Sequence, residues 1–388
     1  MFRTIIAANP IDLIEPGIAE SLDVLRGTVG ADGLAVWVAA PASTYFRPRA
    51  AENKVLRFDG GLTYRPDAAC FATTRLKPPA AAARSRDILE ELFEACAERQ
   101  MGLSAIISAA RTGGLARRHP DAACKNVYGD VSQTSVCLSN PDVRAWLYSL
   151  VDDVTRRADL EAVYLHDFRM GCTDAVDVEP AAPADRRQAI RALLEWCFCE
   201  SCRQRTAAAR VDVDEMAVRV RARIETLMDA AAAAGQTAAQ IAHEFRLSGL
   251  EPSPDTELDG VLAGVARVSR CPVILGPGWG EGASALPRVR AVLTAGRVIP
   301  WSAGLAEAGR ALADFAAQPG ATPATWLGVQ ATDAVMSDSA RLVSLFKTLA
   351  ESGWAGAFVS HYGQLPLSML EALRQAIRFA RRADTAGL

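Results

Sequence analysis

The feature that most constrains this chain is a repeated alternation of short apolar runs with longer amphipathic segments. Strand-like runs fall at residues 4–8, 33–39, 102–109, 161–167, 245–250, 272–275, 325–330 and 355–360. Helical patterns, with apolar residues three and four apart, occupy 18–26, 87–100, 140–154, about 185–245 and 368–382. Ile88, Leu92, Phe93 and Cys96 share one helical face; Val143, Leu147, Leu150, Val151 and Val154 share another. Asn140-Pro141 reads as N-cap and first helical residue, because an Asn side chain accepts orphan backbone N–H groups and proline has none to orphan. Eight strands, most followed by a helix, predict an α/β fold of the (β/α)8 TIM-barrel type. A doubly wound open sheet is the alternative, but no glycine-rich phosphate loop follows the first run. A barrel takes roughly 250 residues. The 388 residues therefore read as one barrel domain with loop elaboration at 41–80 and a helical insertion after strand four, at about 185–245.

Half the residues are apolar, 22% are charged and the net charge is −3. That balance is ordinary for a globular protein and gives no electrostatic basis for nucleic acid as a partner. No apolar run approaches the roughly 18–20 residues that span a bilayer, so no membrane partner is expected. The N-terminal apolar stretch is too short for a secretory signal, which makes a cytoplasmic protein the default. Only four histidines are present, His119, His166, His243 and His361, against nine cysteines.

Three of those cysteines stand in Cys197-Phe198-Cys199-Glu200-Ser201-Cys202. A Cys-x-Cys-x-x-Cys spacing brings three thiolates together, and thiolates at this density suit tetrahedral zinc with Zn–S near 2.3 Å. The fourth ligand must come from elsewhere; Cys137 is the first choice, with Cys124 and Cys172 as alternates. Four sulfur ligands leave no open position, so such a zinc is structural. Cys96, on an apolar helix face, and Cys271, before a strand, read as core thiols.

Residues 131–205 resemble glycoside hydrolase family 42, the barrel β-galactosidases. Three features carry the resemblance in order. Cys137 precedes the helix start Asn140-Pro141-Asp142-Val143-Arg144; a strand ends in Asp167-Phe168-Arg169-Met170-Gly171-Cys172; then comes the run from Cys197 to Cys202. The resemblance implies a structural zinc on Cys137, Cys197, Cys199 and Cys202, and a homo-oligomer, since family members are often trimers. The whole-chain pattern is also similar to glycosidase-like barrel proteins of actinobacterial type, which share the Cys-Phe-Cys run and a Tyr-Gly near the last strand, here His361-Tyr362-Gly363. The chain departs from family 42 at its chemistry. Where the family has an Asn-Glu pair after strand four, this chain has Leu165-His166-Asp167-Phe168, and strand seven ends in Gln330 instead of a nucleophilic Glu.

In barrels of this kind function sits on the loops after the strands' C-terminal ends. Asp167 is the first candidate carboxylate, expected inward on the face of Val163 and Leu165 with His166 outward, and Arg169 is its local partner. Glycoside hydrolysis needs a second carboxyl, about 5–5.5 Å away for retention or about 6.5–9.5 Å for inversion. Glu281, beside Trp279 in a glycine-rich turn, and Asp333, after strand seven, are the candidates, with Glu251 behind them. Tyr45, Arg47, Arg169, Trp279, Trp301, His361 and Tyr362 are the expected substrate-binding residues, because sugar faces stack on aromatic rings and sugar hydroxyls pair with planar polar groups. No Gly-x-Ser-x-Gly element is present for a serine triad. The resulting expectation is a glycoside hydrolase acting on a small carbohydrate or glycoside; a non-catalytic carbohydrate-binding barrel and a barrel lyase or isomerase are the alternatives.

Overall fold

The computed structural model describes residues 2–78, 88–172, 184–208, 211–229, 240, 254–276, 296–300, 324–352 and 354–386. Eight parallel strands form a closed barrel: β1 (Arg3–Ala8), β2 (Gly33–Ala40), β3 (Gly102–Ser108), β4 (Ala162–His166), β5 (Val273–Leu275), β6 (Gly296–Pro300), β7 (Ala324–Gln330) and β8 (Gly356–Ser360). Each pairs with its sequence neighbours, and β1 closes the ring by pairing with both β2 and β8. The predicted (β/α)8 architecture is therefore the observed one.

The strand count comes out right through a different fifth and sixth member. β4 hydrogen-bonds directly to β5, with Val163 opposite Val273 and Leu165 opposite Leu275. No strand stands between them, and the expected strand at 245–250 lies outside the described residues. The place is taken by β6, whose Gly296-Arg297-Val298-Ile299-Pro300 sequence has only two consecutive apolar residues and so no strand-like alternation.

Two residue sets pack on the two faces of this cylinder. Ile5, Ala35, Ile106, Tyr164, Val298 and Phe358 fill the lumen. Ile6, Val36, Ile107, Leu165, Leu327 and Val359 pack outward against the helices. Both faces are apolar because helices cover the outside, which explains why these strands read as continuous apolar runs. A register shift between Trp37 and Ala39 on β2 lets both Trp37 and Ala40 face the lumen.

The helices follow their sequence cues. Helix α1 (Ile88–Glu98) buries Ile88, Leu92 and Cys96. Helix α2 (Pro141–Arg157) starts on Asn140, whose side chain accepts from the Asp142 and Val143 amides, and its whole expected apolar face is buried. The closing helix α3 (Leu367–Ala386) buries Leu370, Leu373, Ile377 and Ala380. After β4 the chain forms helices over Ala184–Leu194, Glu200–Ala208 and Val213–Met228. These pack on one another through Ile190, Leu193, Phe198, Met216, Val220 and Ile224, separately from the barrel core. The two long loops are more ordered than expected: one carries the hairpin Ser43–Phe46/Val55–Phe58, the other Ala123–Lys125/Val131–Val136. Their strands are short and half exposed, so they lack the apolar runs that marked the barrel strands. Among the described residues no helix is long and apolar enough to cross a membrane.

Candidate functional site

Alternation along β4 decides which residues reach the barrel mouth. Ala162 and Tyr164 face the lumen, so His166 does too, whereas Val163 and Leu165 pack outward. This corrects the expected parity: His166, and not the face of Val163 and Leu165, enters the lumen. Its ring meets Trp37 edge-on, with centroids 5.4 Å apart, and lies tilted against Phe358 at 5.9 Å. Gly276, just past β5, is required by that placement; a Cβ there would stand 2.5 Å from His166 Nε2.

His361, directly after β8, completes the group. It stacks on Trp37 at 5.9 Å with an 18° interplanar angle, and on Tyr45 at 6.4 Å and 22°. The Trp37 indole N–H donates to His361 Nδ1 at 3.2 Å. Burial, and secondarily His166, holds the His361 imidazole well below its usual 6.5. The ring is thus neutral at physiological pH, with Nδ1 accepting. Trp37, Tyr45, His166, Phe358 and His361 therefore form one aromatic wall at the C-terminal end of the barrel.

Carboxylates flank the wall. Asp12, on the short helix Pro10–Ile14 that Asn9 caps, is buried. It accepts from the Tyr45 hydroxyl at 2.8 Å and pairs with Arg47 Nε at 2.8 Å. Arg47, 3% exposed, also pairs with Glu15. Burial raises the Asp12 carboxyl above 3.8, outweighing the lowering by Tyr45 and Arg47, and burial beside Asp12 raises the Tyr45 phenol. Gly363 lets this cluster close: a Cβ there would lie 2.1 Å from Asp12 Oδ2. Tyr45, Arg47 and His361, expected separately to bind substrate, thus come together around Asp12.

Asp167 follows β4 in the left-handed region, with φ 50°, and is 1% exposed. Its Oδ2 lies 2.5 Å from the Ser108 hydroxyl, and Ser108 is the residue paired with His166 across β3 and β4. Arg169, expected beside Asp167, extends to Glu195 at 3.3 Å. Asp333 follows β7 and accepts from the Gln330 amide at 2.7 Å; burial raises its carboxyl above 3.8. Tyr362 is not in the mouth. It packs in the outer core under Arg49, whose guanidinium lies 4.0 Å from the ring centroid. Glu251, Trp279, Glu281 and Trp301 lie outside the described residues.

Sequence reasoning missed Trp37, Asp12 and Phe358. Trp37 sits in an all-apolar strand where neither face stands out, and Asp12 reads as an ordinary first-turn acid.

The cysteines converge as expected, and further. The Sγ atoms of Cys137, Cys197, Cys199 and Cys202 lie within 4.8 Å of one another, with Cys137 and Cys202 at 3.4 Å. A tetrahedral ion with 2.3 Å bonds needs sulfurs about 3.8 Å apart, so this donor set fits a thiophilic metal. Asn140 and Pro141 fix the helix start next to Cys137, and the Phe198 amide donates to the Lys125 carbonyl at 2.7 Å, which seats the Cys197–Cys202 run.

No family model matches this chain, and no curated protein sequence matches it. Solved structures match in fold. The glycoside hydrolase domain of PgaB (BpsB) from Bordetella bronchiseptica superimposes with a TM-score of 0.59 at 10% identity, over 97% of this chain and 99% of that one. The α-L-fucosidase isoenzyme 2 from Paenibacillus thiaminolyticus gives 0.55 at 12% identity, over 97% of this chain and 49% of that one. A β-galactosidase from the psychrophilic Marinomonas ef1 gives 0.51 at 11%, over 100% of this chain and 61% of that one. The chain thus spans about half the fucosidase and less than two thirds of the β-galactosidase. What it shares with these glycoside hydrolases is the barrel.

Proposed function

We propose that this barrel is a glycoside hydrolase acting on a carbohydrate or glycoside at the C-terminal mouth. The observation that carries the proposal is the aromatic wall of Trp37, Tyr45, His166 and His361 with carboxylates at the adjoining strand ends. Aromatic faces bind the apolar faces of sugar rings, and a carboxyl pair supplies the proton and the nucleophile or base. Asp333, its carboxyl raised by burial, suits the general acid, and Asp167 suits the second carboxylate. Glu281 is the alternative second acid. Tyr45, Arg47, Arg169, Trp279, Trp301 and His361 are the proposed substrate contacts, with His166 and Trp37 added from the mouth geometry and Tyr362 left in the outer core. A small-molecule carbohydrate or glycoside is the partner, and the family 42 resemblance alone suggests a homo-oligomer.

The four-thiolate group suits zinc on Cys137, Cys197, Cys199 and Cys202. Zinc bound there has no open position; it ties the loop before α2 to the helices after β4 and supplies no chemistry to the substrate.

The test is turnover of a panel of aryl glycosides and oligosaccharides, with product masses read for added water. Asp167→Asn and Asp333→Asn are each expected to lower kcat by about 100-fold or more, in line with loss of general acid or base catalysis. Full activity in Asp167→Asn would sink its assignment. A non-catalytic sugar-binding barrel is the second reading, favoured by the near-complete burial of Asp167; sugar binding without turnover of any panel member would select it.

A further inference from the structure

Six of the nine cysteines form one buried cluster: Cys124, Cys137, Cys172, Cys197, Cys199 and Cys202. Four of them complete the metal group described above. The other two are not spare packing thiols. The Sγ atoms of Cys124, Cys172 and Cys197 form a second set, also within 4.8 Å of one another, and Cys197 belongs to both. We propose that this second set holds a second divalent thiophilic ion, so that the protein carries a two-metal, six-cysteine centre bridged by the Cys197 thiolate.

Two points support the pairing. The first is that backbone bonds, and not side-chain packing, impose the convergence. Cys124 lies on the strand Ala123–Lys125, and Cys172 lies six residues beyond the last residue of β4. The Cys172 amide donates to the Glu195 carbonyl at 2.7 Å, the Phe198 amide to Lys125 at 2.7 Å, and the Cys137 amide to Ala122 at 3.0 Å. Gly171 permits the closest of these approaches: it has φ 107°, and a Cβ there would stand 2.4 Å from the Glu195 carbonyl oxygen. Three chain segments are thus tied together next to their cysteines.

The second is charge. One divalent ion on four thiolates carries −2. A second divalent ion with two further thiolates adds zero, so it brings two more sulfurs into ligation without any additional buried charge. A monovalent ion in the second set would leave the centre more negative.

The second ion has three sulfur ligands; Cys124 Sγ donates to the Gly171 carbonyl at 3.2 Å, and the fourth position falls to that oxygen or to water. Because Cys172 lies only five residues after Asp167, the second ion would brace the strand-four end of the candidate site.

The inference rests on the first metal group, and the test separates the two. Metal content of the purified protein, read by native mass spectrometry and elemental analysis, is expected to be two ions per chain. The Cys124→Ser/Cys172→Ser double variant is expected to keep one, with thermal unfolding and circular dichroism checking its fold. In the cadmium-substituted wild type, NMR should give two signals coupled through the shared sulfur, a readout that stands even if the double variant does not fold. One ion per chain, unchanged in the double variant, overturns the second site and leaves the first intact. A Cys124–Cys172 disulfide in a non-reducing digest also overturns it. No bound metal overturns both.

Discussion

Acidification offers a direct test of the lumen geometry, through His361. The residue is 5% exposed, and its imidazole already accepts the Trp37 indole N–H at Nδ1, 3.2 Å away. Protonating Nδ1 would set one N–H against another and bury a charge near His166. Burial first, and His166 second, accordingly keep the folded-state value well below 6.5. In the unfolded chain the same ring takes up its proton near 6.5. The sign follows: the contribution is fully present above that pH, and below it the unfolded state binds a proton that the folded state refuses. Stability then falls by about 1.4 kcal/mol per pH unit until the folded ring itself titrates. With the folded ring neutral throughout, lowering the pH from 7 to 5 removes about 2 kcal/mol. Urea unfolding of the wild type and of His361→Gln at pH 7, 6 and 5 reads this directly. The variant has its own stability at pH 7, but it should lose about 2 kcal/mol less than the wild type on acidification. Parallel losses in the two proteins would refute the buried, neutral His361 and with it the described packing of the mouth.

Two further predictions concern packing around the barrel. Gly276→Ala would place a methyl 2.5 Å from His166 Nε2 and force the ring off Trp37 and Phe358; a loss of about 1–3 kcal/mol is expected from such overpacking, visible as a lower Tm, and an unchanged Tm would place His166 elsewhere. Asp153→Ala removes a buried carboxylate that accepts from Tyr64 at 2.8 Å, from Arg157 at 2.9 Å and from the Asp67 amide at 3.1 Å, so chemical denaturation should show a loss of about 3–5 kcal/mol, with Asp153→Asn costing less.

How much of the site could be read beforehand varied by residue, for identifiable reasons. The Cys197–Cys202 run and Cys137 announced themselves by spacing, since three ligands on one short segment need little help from the fold to meet. Cys124 and Cys172 stand singly in the sequence, so spacing offers them only as alternates for a fourth ligand. Their meeting with Cys197 depends on two cross-chain backbone pairings, at Glu195 and Lys125, that have no local sequence pattern. His166 and Asp167 are legible as strand-end residues, but the expectation that His166 faces outward fails, since it enters the lumen beside Tyr164. Both faces of β4 are apolar, so the alternation that normally tells inside from outside is silent there. Asp12 and Trp37 were overlooked, because each matters only through partners more than 25 residues away, Tyr45 and Arg47 for one and His361 for the other.

The sequence alone determined what depends on near neighbours: seven of the eight barrel strands, the Asn140 cap, the buried faces of α1, α2 and α3, and from these the barrel type. Caps and helical periodicity involve residues within one or two turns, so a linear pattern carries them. Only the tertiary structure decided what sits at the mouth. Closing β1 onto β8 brings His361 against Trp37 and Tyr45, the register of β2 on β3 holds Trp37 in the lumen, and the direct pairing of β4 with β5 sets His166 against Gly276. Each of these is a contact between distant segments whose geometry is fixed by ring closure and strand register, quantities that no single stretch of sequence contains.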